Sequence, residues 1–239
     1  LPTGVAVVVS RVRVATYNIH AGVGRDGRFD PHRIARVVNE LRVDVVALHE
    51  VESRAGDLGA LGVLAAETGL RALAGPTMFR NEATYGNALL SRCAFSEVER
   101  IDLSVPGREP RGALDVRLEC RGNALRVIAT HLGLGRTERR RQIGLLMERL
   151  DPADPMPTVL MGDMNEWLPW DRPLHRLHRC FGRAAAPRTF PSALPVLALD
   201  RVWVRPGRRL LQLNRHATPL SRVASDHLPL VAEIDLADA

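Results

Sequence analysis

Short apolar runs recur along this chain of 239 residues, and many of them stop on an acid, an asparagine or a histidine. Val43–Leu48 is β-branched and almost wholly apolar, which suits a strand covered on both faces, and it runs into Glu50. Thr158–Met161 is a second such strand and ends at Gly162-Asp163. Asp200 sits inside LALDRVWV, Asp226 and His227 precede the apolar stretch from Leu228 to Ile234, Asn18 closes Arg13–Asn18, and His131 closes Leu125–Thr130. An ion beside a buried strand costs several kcal/mol unless it is paired. Any one of these acids alone reads as a surface residue at a strand exit. Together they read as a site, because ligands of α/β sheets collect outside the strand ends.

Between these runs the period changes. Asp26-Gly27 reads as a tight turn. Asp30-Pro31 supplies an N-cap and a proline at the first helical position, and Ile34, Val37, Val38 and Leu41 follow on one helical face. A helix is expected over Leu58–Thr68, and another where Ile143, Leu146, Met147 and Leu150 share a face. Strands are expected at Asn87–Ser91, Ala113–Leu118, Leu197–Val204 and Leu210–Leu213. Strands outnumber helices, and helices fall in both halves. The architecture is therefore α/β or α+β, with mixed sheets and helices packed outside. No repeat or linker interrupts the chain, so one domain over 1–239 is expected; at this length it can bury about 70–75% of its unfolded surface.

Carboxylates gathered at strand ends repel one another unless a cation joins them. Oxygen ligands favour Mg²⁺, Mn²⁺ or Ca²⁺, and no HxH or HxxxH pair offers a zinc site. Mg²⁺ completes its shell with water and phosphate oxygens, so phosphoester hydrolysis is the first expectation. A glycoside hydrolase needs two acids but leaves Asn165, His131 and His227 without a use.

The ordered blocks TYNIH (16–20), LHEVE (48–52), YGNALLSR (85–92), RGAL (111–114), THLG (130–133), GDMN (162–165), LDRVWV (199–204) and SDHLPL (225–230) resemble the endonuclease/exonuclease/phosphatase superfamily. The resemblance implies a four-layer sandwich of two packed mixed sheets flanked by helices. It implies Glu50, Asn18 and Asp226 as ligands of Mg²⁺, with Mn²⁺ a substitute. It implies Asp163 as the residue that orients or deprotonates the attacking water and Asn165 as a phosphate donor. His227 then contacts the phosphate and is held by Asp200, while His131 stabilises charge. Asp163 and the His227–Asp200 pair both remain candidates for the base. Arg111 either reaches a phosphate or forms an ion pair; Asn87 either supports the site or completes a turn. Trp167 and Trp170 either meet substrate or close the core. Arg139, Arg140 and Arg141 read as a solvated helical face.

The implied activity is that of a phosphodiesterase or nuclease. The alternatives are a phospholipase- or sphingomyelinase-like enzyme or phosphatase on lipid headgroups or small phosphoesters, and a non-catalytic binding protein of the same fold. The net charge of +6, carried by 33 arginines and no lysine, fits an anionic partner such as nucleic acid or a membrane surface; it also fits coding bias. Aromatic residues, at 4%, offer few platforms for bases. Val5–Val9 is far short of the about 20 residues that span a bilayer and lacks the flanks of a leader peptide. Cys93, Cys120 and Cys180 are odd in number and widely spaced, so reduced thiols are expected. The expected protein is a cytoplasmic monomer, with peripheral membrane association as a second placement.

Overall fold

The computed structural model describes residues 10–54, 59–80, 83–151, 153–168 and 172–237. Two expectations, the apolar run Val5–Val9 and Trp170, lie outside the described residues, as does Leu58 at the expected start of a helix.

Eleven strands form two sheets among the described residues. The first half of the chain builds β1 (Arg11–Asn18), β2 (Val45–Arg54), β3 (Arg71–Arg80) and β4 (Ala83–Ser91), with α1 (Pro31–Leu41) and α2 (Gly59–Thr68) between them. The middle builds β5 (Ala94–Asp102), β6 (Gly112–Cys120), β7 (Asn123–His131), α3 (Arg136–Glu148), β8 (Thr158–Asp163) and α4 (Arg172–Phe181). The last part holds β9 (Asp200–Arg205), β10 (Leu210–Arg215), the single turn α5 (Ser221–Ala224) and β11 (Leu230–Asp235). One sheet runs β10-β11-β1-β2-β4-β3 and the other β5-β6-β7-β8-β9. Each contains one parallel pair, β1 with β2 and β7 with β8, while all other neighbours are antiparallel.

Three apolar clusters make the layers. Val12, Val14, Val45, Val127, Val159 and Val202 pack between the two sheets. Tyr17, Val46, Leu48 and Leu90 turn the other way, against Ile34, Val37, Val38 and Leu41 of α1 and Leu61 and Leu64 of α2. Ile128, Leu160 and Trp203 face Ile143 and Leu146 of α3 and Leu174, Leu177 and Phe181 of α4. The order is helix, sheet, sheet, helix, the expected four-layer sandwich. Strand alternation produces it, because neighbours such as Val45 and Val46 point to opposite faces. Burying each such side chain contributes about 1.5–3 kcal/mol relative to exposure.

Local signals act as expected at α1. Asp30 accepts from the backbone N–H of Arg33 at 2.9 Å, and Pro31 opens the helix. Arg33 is itself buried and forms a two-pronged pair with Asp26, whose carboxyl it holds down at about 2. Two edge strands and one helix had no sequence counterpart. β3 contains Gly75-Pro76 and shifts register between Pro76 and Met78; an edge position tolerates a proline because one side of the strand has no ladder to satisfy. β5 is mostly exposed and polar, so it lacks a strand's apolar alternation. α4 buries Leu174, Leu177 and Phe181, which stand between arginines and histidines.

Two expectations are corrected. Cys93 and Cys120 are not free thiols: they form a disulfide with Cα atoms 4.9 Å apart, leaving Cys180 free. The 27 residues between them hide the pairing in sequence, but the end of β4 and the end of β6 meet at the same end of the sandwich. The bridge therefore ties one sheet to the other. Arg139 is not on a solvated face. It is buried against Glu166, with Nη2 at 2.9 Å and Nε at 3.1 Å from Oε2, whereas Arg140 and Arg141 are exposed. No described helix is long and apolar enough to cross a membrane.

Closing a loop of this length in the unfolded chain is worth about 3–4 kcal/mol. Reduction of the Cys93–Cys120 bridge is expected to lower the unfolding free energy by roughly that amount. Urea titrations with and without dithiothreitol, compared with a Cys93→Ala/Cys120→Ala variant, measure it; identical midpoints would refute a stapling role.

Candidate active site

The carboxyl ends of the two parallel pairs lie side by side at the edge between the sheets. Asn18 ends β1 and pairs in register with His49 of β2; His131 ends β7 and pairs with Asp163 of β8, which in turn pairs with Asp200 of β9. Between Leu48 and Val51 the ladder of β2 shifts register, and there Glu50 takes a left-handed backbone with φ of 57°. Such a bulge re-aims a side chain at a cost on the order of 1–3 kcal/mol. Asn165 is likewise left-handed, at φ 48°. Gly162 admits no side chain: a Cβ there would lie 1.7 Å from the carbonyl oxygen of Thr130.

One carboxamide links the sheets. Asn18 Nδ2 donates to Glu50 Oε1 at 2.9 Å and to Asp163 Oδ2 at 3.0 Å. The other oxygen of Asp163 accepts from the backbone N–H of Asn165 at 2.9 Å. Burial pushes the Asp163 carboxyl up, but His227, His131 and these donors outweigh it, so the group is held below the ordinary range. Glu50 behaves similarly: burial raises it, and His131, Asn18 and a hydrogen bond from Tyr85 bring it down.

The two imidazoles beside Asp163 carry different charge. Both place Nε2 3.6 Å from Asp163 Oδ2. His131 is lowered to about 4, chiefly by burial and secondly by Arg111, with Asp163 and Glu50 opposing. It is therefore neutral at pH 7, and Asn165 Nδ2 lies 2.9 Å from its Nε2 and 2.9 Å from the carbonyl of Leu132. His227 is also depressed by burial, but the charges of Asp200 and Asp163 and the 2.9 Å bond from Nδ1 to Asp200 Oδ2 lift it to about 10. Asp200 is fully buried, accepts from Thr189 Oγ1 at 2.6 Å on the same oxygen, and keeps Oδ1 without a partner. The Phe190 ring packs 4.8 Å from the imidazole of His227.

The other expected residues fall around this group. Asn87 is buried and holds His49 Nδ1 at 2.9 Å, while its own amide donates to the carbonyl of Gly112. Arg111 forms the ion pair, 2.9 Å to Glu109, and also leaves a buried Nε without a partner. Trp167 is 55% exposed. Asp226 accepts from Ser225 Oγ at 3.3 Å and bears on His227 and Tyr17; among the described residues no hydrogen bond joins it to Glu50 or Asn18. Sequence reading passed over His49, Tyr85, Thr189 and Glu166. His49 stands within LHEVE, where alternation turns a polar side chain inward, while Thr189 in TFPS lies in an irregular stretch that offers no such signal.

Asp163, Asp200 and His227 bring ligand atoms within 4.8 Å of one another. The shared Asp200 oxygen is already taken by Thr189 and His227, so this trio is first a hydrogen-bonded relay. Glu50, Asn18 and Asp163 form a second polar cluster that shares Asp163 with this relay. Two carboxylates there accept from one amide N–H₂, a donor and not a metal ligand, while Asn18 Oδ1 accepts from the backbone N–H of His20 at 3.0 Å; the carboxylate and carboxamide oxygens are of the type that suits Mg²⁺ or Mn²⁺.

A sandwich with carboxylates, an imidazolium and carboxamides converging at the ends of two parallel strand pairs defines a phosphoester hydrolase. The family model "Endonuclease/Exonuclease/phosphatase family" matches residues 15–227, and the chain belongs to that family. It is 34% identical over 251 residues to "Uncharacterized protein YbhP" of Escherichia coli (strain K12), covering 94% of this chain and 96% of that protein. The endonuclease/exonuclease/phosphatase structure from Beutenbergia cavernae superposes with a TM-score of 0.78 at 25% identity, covering 96% of this chain and 72% of that one. The human Nocturnin catalytic domain with bound sulfate anion superposes with a TM-score of 0.74 at 20% identity and covers 96% of each chain.

His227 sits at about 10 when folded against an ordinary 6.5, so its pairing stabilises the fold fully below about pH 6.5, and that stabilisation is lost as pH rises through about 10. Unfolding free energies measured from pH 6 to about 10 are expected to fall more steeply for the native chain than for Asp200→Asn. Equal slopes would show that Asp200 does not hold the proton on His227.

Proposed function

We propose that the protein is a divalent-metal-dependent phosphodiesterase that cleaves a P–O bond by in-line attack of water. The observation that carries this reading is the placement of Asp163, touching the Glu50–Asn18 group on one side and facing two imidazoles on the other. Glu50 and Asn18 would hold Mg²⁺ or Mn²⁺, with Asp226 supporting from the His227 side; the ion supplies charge neutralisation at the phosphate oxygens and acidifies water. Asp163, ionised at neutral pH, orients the water and accepts its proton. His227, cationic and pinned by Asp200, balances the negative charge that grows on the non-bridging oxygens. Asn165 presents a donor that does not titrate. Neutral His131 fixes Asn165 and stands beside the leaving oxygen. Arg111, with its free Nε, adds charge on the same side.

The site is built from one chain over 1–239, so a monomeric catalytic unit suffices. A binding protein of the same fold would be expected to lack part of this set, and every member is present. A second reading, hydrolysis at a lipid headgroup, draws on Trp167 and Leu168, both exposed in the loop after Asn165, where an aromatic and an aliphatic side chain can meet an interface or a base. The Cys93–Cys120 bridge favours an oxidising compartment over a cytoplasmic one.

Asp163→Asn is expected to lower kcat on bis-p-nitrophenyl phosphate by about 10²–10⁴-fold while metal affinity and KM change little. Glu50→Gln is expected to weaken Mg²⁺ binding and activity together, shifting the metal concentration needed by about ten-fold or more. Steady-state kinetics with Mg²⁺, Mn²⁺ and EDTA, beside metal titrations, check both. A near-normal kcat in Asp163→Asn would remove this residue from the chemistry.

A further inference from the structure

Beside β9, on the face that carries α4, lies a cavity of about 970 Å³. Arg201 places it. Along β9, Val202 and Val204 point between the sheets while Trp203 packs under α4, and Arg201 shares the side of Trp203. Arg140 of α3, Arg176 and Arg179 of α4, and Arg183 just beyond line it together with Arg201, five arginines in all. No carboxylate lines the cavity among the described residues. Arg176 leans across to α3, where a Cβ on Gly144 would lie 3.4 Å from its Nη1.

The charges are uncompensated at short range. Arg140, Arg176, Arg179 and Arg183 are exposed, and none of them is paired with a carboxylate among the described residues. Arg201 is only 4% exposed, and among the described residues its guanidinium bonds only to the backbone carbonyls of Ala198 and Asp200. Arg139, buried to a similar degree, has Glu166 as its acid partner, whereas Arg205 resembles Arg201 in bonding a backbone carbonyl. Asp200, Glu166 and Asp163 act on Arg201 only at longer range. Buried charge without a partner costs several kcal/mol, and five like charges around one space add repulsion. An anion removes both penalties. Guanidinium forks match phosphate oxygens, and a volume of this size holds more than a single phosphate.

We propose that this cavity is a second anion site, apart from the catalytic carboxylates, that takes a ligand with two or more closely spaced phosphates. The source is either a free polyphosphate or the backbone of a nucleic-acid strand. The inference concerns binding and stands whether or not the proposed hydrolysis is correct.

The test is isothermal titration of the full chain in EDTA with inorganic tripolyphosphate and, separately, with a 5′-phosphorylated thymidine trinucleotide, at about 50 and about 200 mM salt. Native protein is expected to bind at least the first, less tightly at the higher salt. Arg176→Glu/Arg183→Glu is expected to weaken that binding by about ten-fold or more and to flatten its salt dependence. Both residues are exposed and make no internal pair, so the fold and turnover of bis-p-nitrophenyl phosphate should stay within about two-fold of native. A parallel loss for the trinucleotide assigns the cavity to a nucleic-acid strand; loss for tripolyphosphate alone assigns it to free polyphosphate. Absence of tripolyphosphate binding by the native chain would overturn the proposal. So would unchanged affinity in the double variant, or binding lost in His227→Gln and kept in the charge reversal.

Discussion

The face-to-face packing of two sheets is the constraint on which everything else depends. Each sheet buries one apolar face against the other, and each holds a single parallel pair. A parallel pair sends two adjacent strands to the same end, so two polar residues leave each sheet together: Asn18 with His49, His131 with Asp163. Stacking the sheets then brings the two exits within hydrogen-bond reach, and Asn18 Nδ2 closes the gap at 2.9 and 3.0 Å. Neither sheet alone contains the site. A one-residue slip in β1 or β8 would exchange the strand's two buried faces and carry Asn18 or Asp163 to the wrong one.

At that edge the protein keeps two carboxylates ionised where burial works against them. It does so with donors and with one positive charge, and the charge is assigned unequally. His227 has a buried anion on its far nitrogen and becomes a cation; His131 is pushed down by burial and by Arg111 and stays neutral, with the carboxamide of Asn165 against Nε2. Both sit 3.6 Å from the same oxygen of Asp163. Two imidazoles of one chemical type thus present a charged donor and a neutral partner to a single pocket. What separates them is Asp200, the anion behind His227; among the described residues His131 has no such partner, so burial, with Arg111, keeps it neutral.

Much of this was legible in the residues themselves. The N-cap at Asp30, the apolar face of α1 and the runs at Val43–Leu48 and Thr158–Met161 encode local structure through period and capping, which survive without tertiary context. The positions of Glu50, Asp163, Asp200 and His227 were legible because an acid or histidine against an apolar run is conspicuous. The edge strands β3 and β5 were not, since an edge strand relaxes the rules that make strands recognisable, namely the absence of proline and the apolar alternation. The Cys93–Cys120 bridge and the Arg139–Glu166 pair depend on contacts across 27 residues each, and nothing in the local pattern marks them. Residues whose role is to hold another residue, such as Asn87 behind His49 or Thr189 behind Asp200, become visible only once their partners have coordinates.

The distribution of strain follows from the same architecture. The site end concentrates features that cost stability: left-handed backbones at Glu50 and Asn165 and, among the described residues, a buried Asp200 oxygen without a partner and an arginine at 201 whose close partners are carbonyls. The opposite end carries the disulfide between the sheets, at the starts of β2 and β7, where no candidate catalytic group lies. Strained residues persist only where their surroundings over-determine them. Here the inter-sheet core and the bridge do that from a distance, because a sheet is stiff along its strands and transmits a fixed register from one end to the other. A chain that relaxed Glu50 into ordinary strand geometry would gain local stability, but the bulge that turns its carboxylate toward Asn18 would be gone, and the oxygen cluster with it.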